Sequence, residues 1–450
     1  MASTARERES LAIIDTLLKA AKAHGAQTAD AVMFDDASLS VDCRMGEMED
    51  VGRSESRDVG LRVIMGKRQA CVSGTDTKDT ALDLLAERAV AMAKLAPEDP
   101  YCGLADETLT SFDAKALDLD DGRSFSTEEL FAMAKRAEDA ARAPDGITNS
   151  EGAGAGWGRT TIVLGTSAGF RGAYTTSSHS LSACVLAGSG TQMERDYDYA
   201  TARHFADLKA PEEIGASAAE RTLKRLHSRK VKSARVPIVY DPRVGNSLLG
   251  HLAGAINGAA ITRGTSFLKD SLGKPVFIGG VTVIDDPRLV RGLRSRPFDA
   301  EGTAAERLTL IDNGTLTTWV LDTASARQLK LTSNGRASRS ISAPPSPGTT
   351  NLYMQAGTLS PEELIADIEE GFYVTDLIGM GVNGVTGDYS RGAAGFWIEK
   401  GRLSYPVSEV TIAGNLKDMF KALTPASDLE FRYASNTPTI RIEGMTLAGA

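Results

Sequence analysis

The sequence predicts an α+β protein: an N-terminal half of helices on antiparallel sheet, then a C-terminal β-rich half, antiparallel and barrel-like or sandwich-like, with a few helices. Three observations carry this. Helical and strand-like periodicities alternate through the first two hundred residues or so. Two runs of β-branched residues punctuated by glycine read as antiparallel meanders. Beyond the polar stretch "RKVKSAR" (229–235), short strands replace most of the helices. The halves divide near residue 230, giving units 1–230 and 231–450, with a sub-boundary near 100–125.

Each element has its own signal. "ESLAIIDTLLKAAKAHG" places Leu11, Ile14, Leu17, Leu18 and Ala21 on one helical face, and Gly25 stands where a C-cap belongs. "DAVMFDD", "SLSVDCRMGEMEDVGRSES" and "VGLRVIMGKRQACVSG" alternate as strands do, with hairpin turns at Gly46 and Gly66. A second helix runs through "TKDTALDLLAERAVAMAKLAPED" and must stop before Pro97. A third opens on a capping box, Ser126 three residues before Glu129. The second meander spans about 147–199, where "GAGAGWG" (152–158) reads as a turn or hairpin; Pro211 then opens a fourth helix. In the C-terminal half the sequence predicts one helix over Gly245–Ile261, a proline-rich loop at 343–348, and helices near 361–371 and 415–423.

Composition excludes several classes. A formal net charge of −9 gives no pull toward nucleic acid or anionic membrane, so neither is expected as a direct partner. The basic run "LRSR" (293–296) is short and reads as solvated. The apolar window Val244–Thr262 holds Asn246, His251 and Asn257 and is too polar for a span. No signal-peptide pattern opens the chain, and the 4 cysteines lie far apart, which suits reduced thiols in the cytoplasm.

Catalytic motifs are missing where they would be local. The 5 histidines are dispersed, so no H-E-x-x-H pair exists, and G-x-S-x-G is absent. Asp285, Asp286 and Asp376 could suggest paired carboxylates, although such residues usually cap turns.

The stretches "GTSFLKDSLGKPVF" (264–277), "LIDNGTLTTWVLDTASARQL" (310–329) and "GVNGVTGDYSRGAAGFWIEKGRLSYPVSEVTIAGNLKDMF" (381–420) closely resemble the PmbA (TldE) branch of the TldD/PmbA family. The resemblance extends over nearly the whole chain. It implies a cytoplasmic heteromeric peptidase that cleaves unfolded or modified peptides. A TldD-like zinc-bearing paralogue would be the partner, and this chain would be the subunit without zinc, with no cofactor of its own. The zinc branch carries H-E-x-x-x-H before the segment that stands here as Arg263–Ser266. Alignment on that segment puts its three motif positions on Leu249, Gly250 and Gly254, where no ligand remains. The C-terminal cysteine of that branch is also missing.

On this reading Gly250, Gly254 and Gly258 form a small-residue stripe that lets another backbone approach, and His251 is a partly buried histidine satisfied by a backbone carbonyl. Asp388, Tyr389, Ser390 and Arg391, hemmed by glycines, are the candidate substrate- or partner-binding residues; a local Arg391–Asp388 pair is the bland alternative. An extended peptide could be held by strand addition. Two other classes stay open: an independent peptidase with an unrecognised site, and an interaction or regulatory protein of the gyrase-modulator type, homodimeric when isolated.

Overall fold

The computed structural model describes residues 5–109 and 111–449. Its N-terminal half is one six-stranded antiparallel sheet, in spatial order β3-β2-β1-β4-β5-β6, with four helices on one face. In chain order these are α1 (Ala5–Ala23), β1 (Thr28–Arg44), β2 (Glu47–Met65), β3 (Arg68–Gly74), α2 (Asp79–Leu95), α3 (Thr127–Arg142), β4 (Ile147–Thr166), β5 (Arg171–Ala187), β6 (Glu194–Ala202) and α4 (Pro211–Lys224). The central strands are unusually long. β4 has 20 residues, about 65 Å of extended chain, which is room for two helix pairs side by side. The period of two keeps both pairs on one face. Ala29, Ala31 and Met33 of β1 pack under α1 and α2, while Leu39, Val41 and Cys43 pack under α3 and α4.

Local signals operate as the sequence suggests in this half. Gly46 (φ 85°) and Gly66 (φ 62°) close the two hairpins, α2 ends one residue before Ala96 turns extended ahead of Pro97, and Ser126 and Glu129 form a reciprocal capping box on α3. One expectation fails. "GAGAGWG" is the interior of β4, not a turn. A Cβ at Gly154 would lie 2.7 Å from the Asp42 carboxylate, and one at Gly156 would lie 2.8 Å from Ser180 Oγ. Glycine stands there because side chains from the strands on either side occupy the same face.

The C-terminal half is built on a barrel. β7 (Ala234–Tyr240), β14 (Glu370–Val382), β15 (Asp388–Glu399), β16 (Arg402–Asn415) and β19 (Ile440–Ala448) close on themselves through the β16–β19 pairing, with β17 (Leu423–Pro425) added alongside β19. Between β7 and β14 lie α5 (Pro242–Ala255), α6 (Gly258–Thr262), β8 (Val283–Asp285), β9 (Leu308–Asp312), β10 (Thr315–Leu316), α7 (Thr323–Leu329), β11 (Ala337–Ser338), β12 (Ser346–Pro347), β13 (Leu352–Met354) and α8 (Pro361–Ile365). α9 (Leu416–Lys421) follows β16, and β18 (Ser435–Asn436) joins β8–β10 and β13 in a small sheet. Ile238, Tyr240, Phe372, Val374 and Ile442 fill the barrel, and Leu248, Leu249 and Leu252 of α5 join that core.

Two helix expectations are corrected here. The Gly245–Ile261 helix is broken, because the Ile256 carbonyl accepts from Val320 N and Gly258 N donates to Val320 O instead of continuing the ladder. Asn257 then caps a new turn, its side chain accepting from Ala259 N at 3.0 Å. The helix near 361–371 stops at Ile365, and strand β14 begins at Glu370.

The halves meet on the face of the N-terminal sheet opposite its helices. Val32, Leu164 and Phe170 pack against Phe298, and Asp30 is buried between Arg62 and Arg339. At the edge, Asp196 of β6 accepts from Arg243 of α5 at 2.8 Å, both nearly inaccessible. Burial pushes the Asp196 carboxyl up, but Arg243 outweighs it and holds it below the ordinary carboxylate value.

Candidate functional site

α5 sits between the barrel and the N-terminal sheet. Asp241 caps it, accepting from Arg243 N at 2.9 Å, and Pro242 supplies the first helical residue. Leu249 is 1% exposed and turns into the barrel core, while Gly250 and Gly254 lie on accessible sides. Leucine and glycine at these positions offer no metal-donor atom in their side chains. No group of three His, Cys, Asp or Glu able to hold a metal occurs among the described residues.

The small-residue stripe is not what the sequence suggests. A Cβ at Gly250 or Gly254 would meet nothing within 4 Å; only Gly258 makes a tight approach, 2.6 Å from Ser325 Oγ. Gly254 instead lines a cavity of about 540 Å³ between the halves. Tyr174 and Thr176 of β5 and Arg203, just after β6, form one wall; Ala253, Gly254 and Asn257 a second; and Leu293–Arg296 with Thr349 and Thr350 a third. No carboxylate lines it among the described residues. "LRSR" is therefore not simply a solvated run. Arg296 donates to Ala337 O at 2.8 Å and has Nε and Nη2 buried without a partner, and Arg203 Nε is in the same state. The partners of these arginines lie in three separate segments, at Ser177, Leu293 and Ala337–Ser338, so no local pattern in the sequence marks them.

His251 is partly buried, but its Nε2 has no hydrogen-bond partner, so the expected backbone carbonyl is not there. Its ring lies edge-on to Tyr389, centroids 6.0 Å apart. Burial lowers its pKa and the nearby Arg391 lowers it further, so the imidazole is neutral at pH 7. The four glycine-flanked residues divide by strand alternation. Tyr389 is 2% exposed and points into the barrel, where Tyr240 donates to it at 3.4 Å. Asp388 and Ser390 face solvent. Asp388 accepts from Thr386 Oγ1 at 2.6 Å and Asn415 Nδ2 at 3.0 Å, and these bonds hold its carboxyl below the ordinary value. Arg391 donates Nε to Ile378 O at 3.3 Å. Beside them the end of β14 exposes Ile378 and Met380, and the β14–β15 turn exposes Val385.

The other carboxylates are structural. Asp285 is fully buried against Arg336 and accepts from Thr350 N at 2.6 Å, so it is an internal ion pair and not a turn cap. Asp286 does cap a turn, accepting from Arg288 N at 2.8 Å, and Asp376 pairs with Arg225 at 3.3 Å. The cysteines are free, and burial pushes Cys43 up to about 11 and Cys184 up to about 12, so they are poor nucleophiles. No helix among the described residues is long and apolar enough to cross a membrane.

The architecture is a closed five-stranded barrel joined to a helix-covered six-stranded sheet, with Leu249, Gly250 and Gly254 of α5 carrying no metal-donor side chain. Three family models match in succession: PmbA/TldA metallopeptidase domain 1 over residues 29–93, its central domain over 120–226 and its C-terminal domain over 233–449. The chain belongs to the PmbA/TldD metallopeptidase family. It is 40% identical to Metalloprotease PmbA of Escherichia coli O157:H7, over 96% of this chain and 94% of that protein. It is 35% identical to the Metalloprotease PmbA homolog of Haemophilus influenzae, covering 99% and 97%. A crystal structure from Bacteroides thetaiotaomicron, described as a proposed modulator of DNA gyrase, superimposes with TM-score 0.90 at 27% identity, covering 98% and 99%. TldE from Thermococcus kodakarensis shares the fold, with TM-score 0.86 at 20% identity over 97% and 100%.

Proposed function

We propose that this chain is the non-zinc subunit of a heteromeric TldD/TldE-type peptidase of the cytoplasm, active in company with a zinc-bearing TldD-like paralogue on unfolded or modified peptides. One observation carries the reading. At the helix where the zinc branch places H-E-x-x-x-H, this chain has a core leucine, Leu249, and two glycines, Gly250 and Gly254, with a cavity beside them. A catalytic zinc site needs three donors converging on one point, and the reading is supported by finding no such set among the described residues. The chain's contribution is then binding and enclosure. The solvent-facing Asp388 and Ser390, with Arg391 and the exposed Ile378, Met380 and Val385, form the surface we assign to the paralogue or to the peptide. Tyr389 supports that strand from within. We place the division of the chain at residue 230, between α4 and β7.

The test is reconstitution. Dialysed protein alone should carry far less than one zinc per chain and cleave no unfolded peptide. Mixing with a paralogue bearing H-E-x-x-x-H should produce chelator-sensitive cleavage that neither has alone. Chelator-resistant cleavage by this chain alone would make it an independent peptidase, and binding without turnover in the mixture would make it an interaction protein.

A further inference from the structure

The cavity beside Gly254 has a charge pattern that the metal-site reading leaves unexplained. Arg203 and Arg296 reach into it from opposite halves, and Arg294 stands exposed on the same loop as Arg296. Arg203 gives Nη1 to Ser177 O at 2.9 Å and Nη2 to Leu293 O; Arg296 gives Nη1 to Ala337 O and to Ser338 Oγ at 3.3 Å. These bonds to neutral acceptors fix the two guanidiniums without neutralising them. Arg203 Nε, Arg296 Nε and Arg296 Nη2 stay buried and unpartnered. An unpaired buried N–H is costly, the more so on a cation, and other buried arginines do have carboxylates, as Arg62, Arg243 and Arg336 show. Burial lowers the Arg203 pKa, and only the Tyr174 hydroxyl acts against that. Two fixed forks, a half-buried phenol and a lining without carboxylates among the described residues are the chemistry of an oxyanion pocket.

The size and walls of the cavity narrow the ligand. At about 540 Å³ it lies in the range of pockets for organic ligands, far above the roughly 30 Å³ share of one water. Ile162, Ala253, Leu293 and Val320 give it an apolar lining beside the arginines. A free inorganic anion would leave that lining unused. Resting on the peptidase reading above, we infer that the cavity binds the free carboxyl end of an extended peptide, its terminal carboxylate on Arg203 and Arg296 and its last side chains on the apolar wall. Glycine at position 254 keeps the entrance open, since any side chain there would project into the cavity.

The experiment is calorimetric titration of the full chain with trileucine, trileucine amide and inorganic phosphate. Trileucine should bind at least about tenfold more tightly than its amide, the factor expected for losing one charge-assisted bond. Arg296→Gln should remove that preference. Because Arg203 and Arg296 also hold backbone carbonyls, Arg294→Gln and Gly254→Leu serve as variants that leave those contacts in place. Gly254→Leu should abolish trileucine binding with the near-ultraviolet circular dichroism unchanged. Equal affinity for acid and amide, no binding of either, or an Arg296→Gln protein that binds as before would overturn the assignment. Binding of phosphate alone would give the pocket to a free oxyanion and overturn the peptide terminus as its occupant. Peptidase activity of the reconstituted pair separates the two readings. Cleavage of acid and amide substrates alike sinks the carboxylate site only, whereas trileucine binding without any cleavage sinks the peptidase role only.

Discussion

Alanine at the three glycines of the interfacial helices should give opposite signs. Gly250 and Gly254 lie in α5 with nothing within 4 Å of a Cβ, so alanine adds no clash and removes the entropic cost of glycine in a helix. That gain is about 0.5–1 kcal/mol at Gly250 and less at Gly254, one residue from the helix end. Gly258 differs. Its Cβ would lie 2.6 Å from Ser325 Oγ, 2.8 Å from Ser325 Cβ and 2.9 Å from Leu321 Cδ2. Ser325 cannot retreat freely, because it is half of the capping box with Asp322 that starts α7. Overpacking there costs about 1–3 kcal/mol, and loss of the cap adds about 1 kcal/mol. Urea unfolding followed by circular dichroism should therefore separate Gly250→Ala from Gly258→Ala by about 2.5–5 kcal/mol. If Gly250→Ala or Gly254→Ala destabilised as much as Gly258→Ala, a neighbouring segment would have to approach α5 where the structure shows open space.

The other predictions concern charge. Arg391→Ala should raise KM or weaken assembly with the paralogue while kcat holds, because a binding group acts equally on ground and transition states; a collapse of kcat at unchanged KM would put Arg391 in the chemistry. Asp196→Asn leaves Arg243 buried without its carboxylate and should cost about 3–5 kcal/mol at pH 7. Since Asp196 has a depressed folded pKa, its stabilisation is present above the unfolded value and is lost as pH falls through the folded one, so the gap between wild type and variant should narrow progressively in acid; a gap that does not narrow as pH falls below the unfolded value would refute this. Glu301 behaves oppositely. Burial first, then Asp299, raises it from 4.5 to about 8, so the unfolded chain loses its proton earlier and stability falls as pH rises across that window. Glu301→Gln keeps an acceptor for Thr323 N and Oγ1, and its melting temperature should gain on wild type from pH 5 to pH 9; a pH-independent difference would show that Glu301 is ionised in the fold.

Signals confined to a few neighbouring residues were legible in the sequence. The Ser126–Glu129 capping box, the turns at Gly46 and Gly66 and Pro211 at the start of α4 each need only local backbone chemistry, and the structure has all of them. Where a residue's reason lay on another strand, the reading went astray. Glycines 154 and 156 looked like turn formers because Asp42 and Ser180, which occupy their space, are remote in sequence. The break at Asn257 depends on Val320, which takes hydrogen bonds that a continuous helix would have kept.

The candidate site shows the same limit in its strongest form. Alignment on Arg263–Ser266 could show that zinc donors were missing at 249, 250 and 254, but absence of side chains has two structural outcomes, close packing or open space. Sequence favours the first, since a glycine stripe ordinarily permits close approach. Only the positions of Tyr174, Arg203 and Arg296, contributed by strand β5, the residue after β6 and a loop nearly a hundred residues further on, make it the second at Gly254. The choice also alters the energetics. A packed stripe would add contacts to the interface, whereas a cavity edged by guanidiniums without carboxylate partners subtracts from stability. Elsewhere between the same halves the arginines do have carboxylates, Arg243 with Asp196 and Arg339 with Asp30. Cationic groups left without acids around a hollow are the physical reason for treating it as a binding site rather than as a packing defect.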